Sequence, residues 1–384
     1  MTPDRPADWD PRSPAVLDAP IAAYDSLRRR CPVAWSDYLW WSLLRHADVL
    51  RVLHDPGAFS SAASNHLSIP NAMDAPEHTP YRRLIERYFT PECMAEFEPA
   101  CQRIAQALVQ ALPRATPIEL MEALADPFAA RSQCAFMGWP ETLHAPLRAW
   151  IGRNHAATHA GDRAAMARLA LDFDGYITEQ LVLRRDAGAQ APPDVTTRLL
   201  GERIHGRPLS DEEIVSIVRN WTVGELGTLA ASVGILVHYL ATHPALQAEL
   251  RAQPDALPDA IDEILRIHPP LIANRRITTC PVHVGGHDLP AGERLTLIWA
   301  AANRDEAVFG DPDRYDPPRN RAHNLLYGAG LHVCPGAPLA RLELRTLMQA
   351  LLAHTSTIEM AASPAPEHAR FPAGGFARLT VRLK

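Results

Sequence analysis

Toward the C-terminal end, Tyr327-Gly328-Ala329-Gly330-Leu331-His332-Val333-Cys334-Pro335-Gly336 sets one cysteine between glycine-bearing turns and an expected helix start at Ala337-Pro338-Leu339-Ala340-Arg341-Leu342-Glu343. Gly328 and Gly330 can take positive φ or let the backbone approach a flat group closely. A helix beginning just past Cys334 aims its amide dipoles at the sulfur and favours the thiolate. A thiolate held on such a loop is what an axial ligand to haem iron requires. An isolated cysteine in a turn is ordinarily a small buried hydrophobe. The joint spacing of glycine, histidine, cysteine and glycine is what sets this one apart.

Other residues could work with that sulfur. Asp74-Ala75-Pro76-Glu77-His78-Thr79-Pro80-Tyr81-Arg82-Arg83 places His78 and Arg82 four apart, on one helix face, where both can donate to an anion. Glu263-Ile264-Leu265-Arg266 pairs an acid and a base at i and i+3, and Pro312-Asp313-Arg314-Tyr315 follows later in the chain. Gly224-Glu225-Leu226-Gly227-Thr228 interrupts a long apolar helical stretch with a carboxyl and a hydroxyl.

Taken together, these segments resemble the cytochrome P450 family, and the resemblance runs through nearly the whole chain. Tyrosine stands at 327 and 315 where the family usually has phenylalanine. The resemblance implies that Cys334 is the axial ligand of a haem b (iron protoporphyrin IX), with Gly328 in the cofactor loop. It also implies that His78, Arg82, Arg276 and His332 hold the two propionates, whose burial needs charge-assisted partners. Glu263, Arg266 and Arg314 are implied to be structural, with two arginines around one glutamate. On the oxygen side the family usually has an acid followed by a threonine. The spacing to Glu263 and the intervening His243-Pro244 put Thr228 on the alcohol, Gly227 on the acid and Glu225 on a usual glycine. The normal acid is therefore missing, and Glu225 with Thr228 become the catalytic candidates. Family position further assigns Val223, Gly224, Gly227, Ile272, Ala273 and Phe376, with the loop from Asn65 to Asn71, to the substrate pocket.

These groups need a scaffold. The chain has 384 residues, 47% of them hydrophobic, which is enough for a large core, and no linker or repeat divides it. The reading is one domain, residues 1–384, with 1–20 irregular: mainly α with small β elements, the P450 fold, and a long central helix over the haem. That helix should start at the capping box Ser210-Asp211-Glu212-Glu213 and stop before His243-Pro244. Pro32 to Leu44 reads as a hairpin, and strand-like runs recur at Val282–Val284, Leu295–Ala300 and Leu379–Leu383. The net charge of -6 argues against nucleic acid as a partner. Six scattered cysteines, without a signal sequence or an uninterrupted apolar run near the ~18 residues of a membrane helix, point to a soluble cytoplasmic protein, with no membrane association.

The resemblance implies a haem-thiolate monooxygenase that inserts one oxygen atom from O2 into a small, largely apolar organic substrate, aromatic ones included. No flavin or iron–sulfur module follows, so electrons are expected from a ferredoxin and its NAD(P)H-dependent reductase. Arg83, Arg87, Arg341 and Arg345 are candidate contacts for such an acidic carrier. Two other functions stay open: a peroxide-driven peroxygenase, which the missing acid favours, and a haem-based gas sensor without turnover.

Overall fold

The computed structural model describes residues 6–63 and 66–384, and all their side chains except those of His159 and Val223. Helices dominate, with five small sheets among the described residues. The central helix runs Asp211–Thr242, 32 residues, or about 48 Å at the usual rise. It opens as its sequence foretells: Ser210 accepts from the Glu213 amide while the Glu213 carboxylate accepts from the Ser210 amide. Pro244 begins the next helix and prevents continuation. Midway, Gly224–Leu229 widens into a π turn, a distortion that often marks functional sites.

By length and composition this helix could cross a membrane, the one such segment among the described residues. Its second half is instead packed in the core, with Val233, Ile235, Leu236, Val237 and Leu240 all nearly inaccessible. The expectation of no such run overlooked that a single charge, Glu225, scarcely lowers the hydropathy of its surroundings. Along the other wall of the core lies the helix Ala337–His354, packed extensively on Pro91–Ala111.

The hairpin is present as Val33–Ser36 and Trp40–Leu43, the first two strands of a five-stranded sheet. Trp40–Leu43 pairs in parallel with Arg294–Ile298, which pairs antiparallel with Ala273–Thr278; Phe59–Ser60 closes the edge. The run expected as a strand to Ala300 turns helical at Trp299. The N-terminal segment expected to be irregular contains the helix Pro14–Asp18, and the next helix starts at Pro20. Prolines at both helix starts fit the first turn, where a missing amide costs nothing.

Two buried ion networks lock the sheet side to the helices. Glu263 accepts from Arg266 Nε and Nη2 at 2.9 Å each, from the Asp316 amide at 3.0 Å and from Asn320 Nδ2 at 2.7 Å. Arg266 also donates to the Asn303 carbonyl at 2.8 Å and stacks on Phe309. Arg314 does not join them through its side chain, contrary to the sequence reading. Its guanidinium is 65% exposed and faces Asp316 at 3.4 Å, and only its carbonyl oxygen accepts from Arg266. The second buried arginine is Arg304, which binds Asp25 at 2.7 Å and Asp313 at 2.8 Å and so ties the Pro20–Arg30 helix down. A hydrogen-bond set this complete makes each charge tolerable, and removal of one member strands the others.

Glu263→Ala should therefore lower the unfolding free energy by about 3–5 kcal/mol, because the Arg266 charge is left buried and unpaired. Arg314→Ala should stay within about 0.5 kcal/mol of wild type, as for other surface changes. Denaturant titration checks both, and equal losses for the two variants would return Arg314 to the network.

Candidate active site

The cysteine loop is built from glycine and helix geometry. Gly328 and Gly330 have φ of 73° and 68°, the left-handed region that favours glycine. A side chain on Gly330 would stand 2.2 Å from the Leu53 carbonyl oxygen, so the helix His46–His54 can approach only a bare backbone. The Cys334 amide donates to the Tyr327 carbonyl at 2.8 Å and closes the loop. The amides of Gly336 and Ala337, at the start of the following helix, point at the sulfur. Pro335 has no N–H and adds no third bond. Burial pushes the thiol pKa up, while the Gly336 amide, the Arg82 charge and the Ala337 amide pull it down. Under the loop, Arg341 covers the Tyr327 ring at 4.5 Å and holds Asp262 at 2.8 Å.

Cys334 and Gly328 open onto a cavity of about 720 Å³. At one edge of it four cationic or potentially cationic side chains converge. Arg276 is 5% exposed, and its guanidinium has one bond, to the neighbouring Arg275 carbonyl at 2.6 Å. His78 and His332 lie with ring centroids 4.5 Å apart. Both nitrogens of His78 and Nε2 of His332 are buried without a partner among the described residues. Arg82 reaches the Val333 carbonyl and pairs with Glu86 at 2.7 Å. Burial, then the Arg276 charge, pushes His332 down to about 4. A nearby carboxylate, Asp74, is engaged by Ser60 and by the Ser61 amide at 2.8 Å. Buried donors without acceptors carry a substantial desolvation cost, and an anion at this edge would relieve it. A haem with two propionates and a thiolate ligand fits these donors and Cys334 together.

The opposite wall comes from the widened turn. Gly224, Glu225, Thr228, Leu229 and Ser232 line the cavity, and Gly227 is turned off that face. Neither Gly224 nor Gly227 has an atom within 4 Å of where a side chain would stand. The Thr228 carbonyl accepts from Ser232 at 2.7 Å, while the Thr228 hydroxyl has no partner among the described residues. Ala273 lines the cavity, as expected, with Leu271 beside it. Ile272 and Phe376 do not. Alternation along the extended chain turns Ile272 to the other side, where both residues line a second cavity behind Pro269 and Phe371. Phe376 stacks there between His238 and His368. Asn65 lies outside the described residues, as does the side chain of Val223.

Sequence reading missed Glu343. It is fully buried on the helix after the cysteine and accepts from Ser132. Leu339, Glu343 and Leu347 are spaced by four. A carboxyl on an otherwise apolar helix face was the available signal. The four surface arginines also look different in three dimensions. Arg87, Arg341 and Arg345 are paired with Glu202, Asp262 and Glu98 at 2.5, 2.8 and 2.7 Å. Arg83 is exposed and has no salt bridge among the described residues.

Comparison with known proteins agrees with this geometry. The family model for cytochrome P450 matches residues 162–371, more than half of the chain. Cyclomarin C epoxidase of Salinispora arenicola is 31% identical, over 84% of this chain and 85% of that relative. Nocardicin C N-oxygenase of Nocardia uniformis is 32% identical, over 96% of each. The structure of a P450 EryK mutant in complex with erythromycin B superposes with a TM-score of 0.86 at 27% identity, covering 95% of this chain and 96% of that one. The chain belongs to the cytochrome P450 family. Its class is that of the haem-thiolate monooxygenases, which are oxidoreductases that use O2.

If Arg276 is held for an anion, Arg276→Ala should weaken haem retention about tenfold to a hundredfold, the equivalent of one charge-assisted bond. Transfer of haem to apomyoglobin measures this. The haem-free variant should be no less stable than haem-free wild type, because it loses an unsatisfied buried charge. Unchanged retention would remove Arg276 from the cofactor site.

Proposed function

We propose that this P450 inserts one oxygen atom from O2 into a small, largely apolar organic molecule. In this reading haem b is held by Cys334 and by propionate bonds to His78, Arg82, Arg276 and His332. Electrons come from a separate ferredoxin and its NAD(P)H-dependent reductase, and the enzyme is cytoplasmic. The observation that carries the proposal is the cavity between Cys334 and the widened turn, with Glu225 and Thr228 on its far wall.

When bound, the haem supplies the redox chemistry that activates dioxygen; the chain contributes shape, charge and protons. The cavity must accommodate the macrocycle as well as the substrate, which favours a small substrate. Phe89, Phe136, Leu229, Leu271 and Phe371 give its wall an apolar character. Several polar lining groups are already satisfied by protein. Ser68 donates to Asn220 Oδ1, Asn220 Nδ2 to the Ile69 carbonyl, and Gln133 to Thr222. Beyond the propionate group, the charged residues on the lining are Arg275 and Glu225. Burial raises the pKa of Glu225, so its carboxyl can hold a proton where Gly227 cannot. Thr228, with its hydroxyl unengaged, carries that proton onward into the cavity.

The lack of an acid at 227 also favours the peroxygenase reading, in which peroxide replaces O2 and the carrier. Thr228→Ala separates the two. With ferredoxin, reductase and NADPH, product formation should fall by about 10² while peroxide release rises at unchanged haem content. Efficient turnover by wild type with peroxide alone, and none with carriers, would establish the peroxygenase. Unaltered coupling in the variant would remove Thr228 from proton delivery.

A further inference from the structure

The cavity wall continues into the core through a second carboxyl. Glu343 Oε1 accepts from Ser132, on the helix Asp126–Met137. Glu343 Oε2 and Glu225 Oε1 are both buried and have no hydrogen-bond partner among the described residues. The two carboxyl groups lie close enough to act on each other's protonation. Behind them, Cys101 lies on the helix Pro91–Ala111, buried and close enough to feel both carboxyls. The titratable groups that face the pair from the packed elements are the thiols of Cys101 and Cys334. Neither thiol is a cation, and no arginine or lysine acts on either carboxyl.

Two carboxylates buried side by side in a dry interior cannot both be ionised, because repulsion adds to the cost of burying each charge. A proton between them turns the repulsion into a strong hydrogen bond. We propose that Glu225 and Glu343 form an acid–carboxylate pair holding one shared proton, and that Glu343 recharges Glu225 in the oxygen-side chemistry. The second half rests on the monooxygenase reading; the first half does not.

The pair spans two elements that both touch the haem site, the widened turn of the central helix and the helix that starts at Cys334. Glu225 is the member that lines the cavity. Glu343 is a positioning residue, held in its rotamer by Ser132. In each cycle the O–H bond of the pair breaks at Glu225 and the proton passes to the Thr228 hydroxyl as that hydroxyl releases its own proton into the cavity, with no electron transferred in this step. The dianion left behind is unstable and recovers a proton from solvent, while the electrons come from the carrier. Glu225 thus serves in place of the acid absent at 227, two positions along the chain.

Burial raises both pKa values above the ordinary 4.5, and the mutual contact raises that of Glu343 further. The proton therefore belongs to the pair. Raised folded-state values mean that the pair's contribution to stability is fully present below 4.5 and is lost as pH rises through the folded values.

Infrared spectroscopy of the ferric holoenzyme at neutral pH provides the test. Wild type should show the C=O stretch of a protonated buried carboxyl. Glu225→Gln and Glu343→Gln should each abolish or shift it, and Ser132→Ala should shift it. The loss of stability with rising pH should flatten in Glu343→Gln. With carriers, Glu343→Gln should lower product per O2 at least several-fold and Glu343→Asp should restore part of it. Absence of the band in wild type, or a band untouched by both single Gln variants, would overturn the pair. A pair-dependent band with unchanged coupling in Glu343→Gln would overturn its recharging role. If wild type forms no product with carriers yet shows the pair-dependent band, the pair stands and the monooxygenase reading falls.

Discussion

A buried sulfur and a cluster of buried basic side chains with unmet donors must share one cavity, and much of this structure follows from that constraint. Cys334 receives amides from the helix behind it, while in a separate cluster the ring nitrogens of His78 and Nε2 of His332 have no partner among the described residues and Arg276 bonds the Arg275 carbonyl. Each arrangement is costly alone, since burial disfavours the charged forms. Both become favourable when a group with a metal centre and anionic edges bridges them. The rigid parts of the fold hold this unfavourable state open: the buried Glu263–Arg266 and Arg304–Asp25 networks beneath, and the loop closed by Tyr327 above.

The central helix makes the other half of the site by departing from regular geometry. A straight α-helix would keep its backbone bonds closed along the cavity. Glu225 and Thr228, three apart within the widened stretch Gly224–Leu229, both line one wall. Glycines at 224 and 227 leave space where side chains would otherwise press. In the pair proposed here Glu225 meets Glu343, so the helix that begins just after Cys334 would also support the wall that carries Glu225.

Local signals carried far in the sequence. The cysteine loop, the capping box at Ser210, the stop at Pro244 and the convergence of His78, Arg82, Arg276 and His332 all depend on residues close in sequence or on a resemblance that already encodes the fold. Features set by packing were less legible. Arg314 was expected to point at Glu263, but its backbone carbonyl makes the contact and Asn320 fills the remaining position. Ile272 and Phe376 were assigned to the substrate wall, yet strand alternation and stacking on His238 turn them to a second cavity. Glu343 went unnoticed because a charge in a helix is usually solvated, and only burial reveals its partner.

Ligation of haem iron by the Cys334 thiolate is the claim on which the others stand. The reduced, CO-bound protein provides the most direct test. Wild type should absorb at the long-wavelength Soret position diagnostic of thiolate-ligated haem, and Cys334→Ser should lose that band while still binding haem. A normal thiolate spectrum in Cys334→Ser would place the ligand on another cysteine and contradict the account.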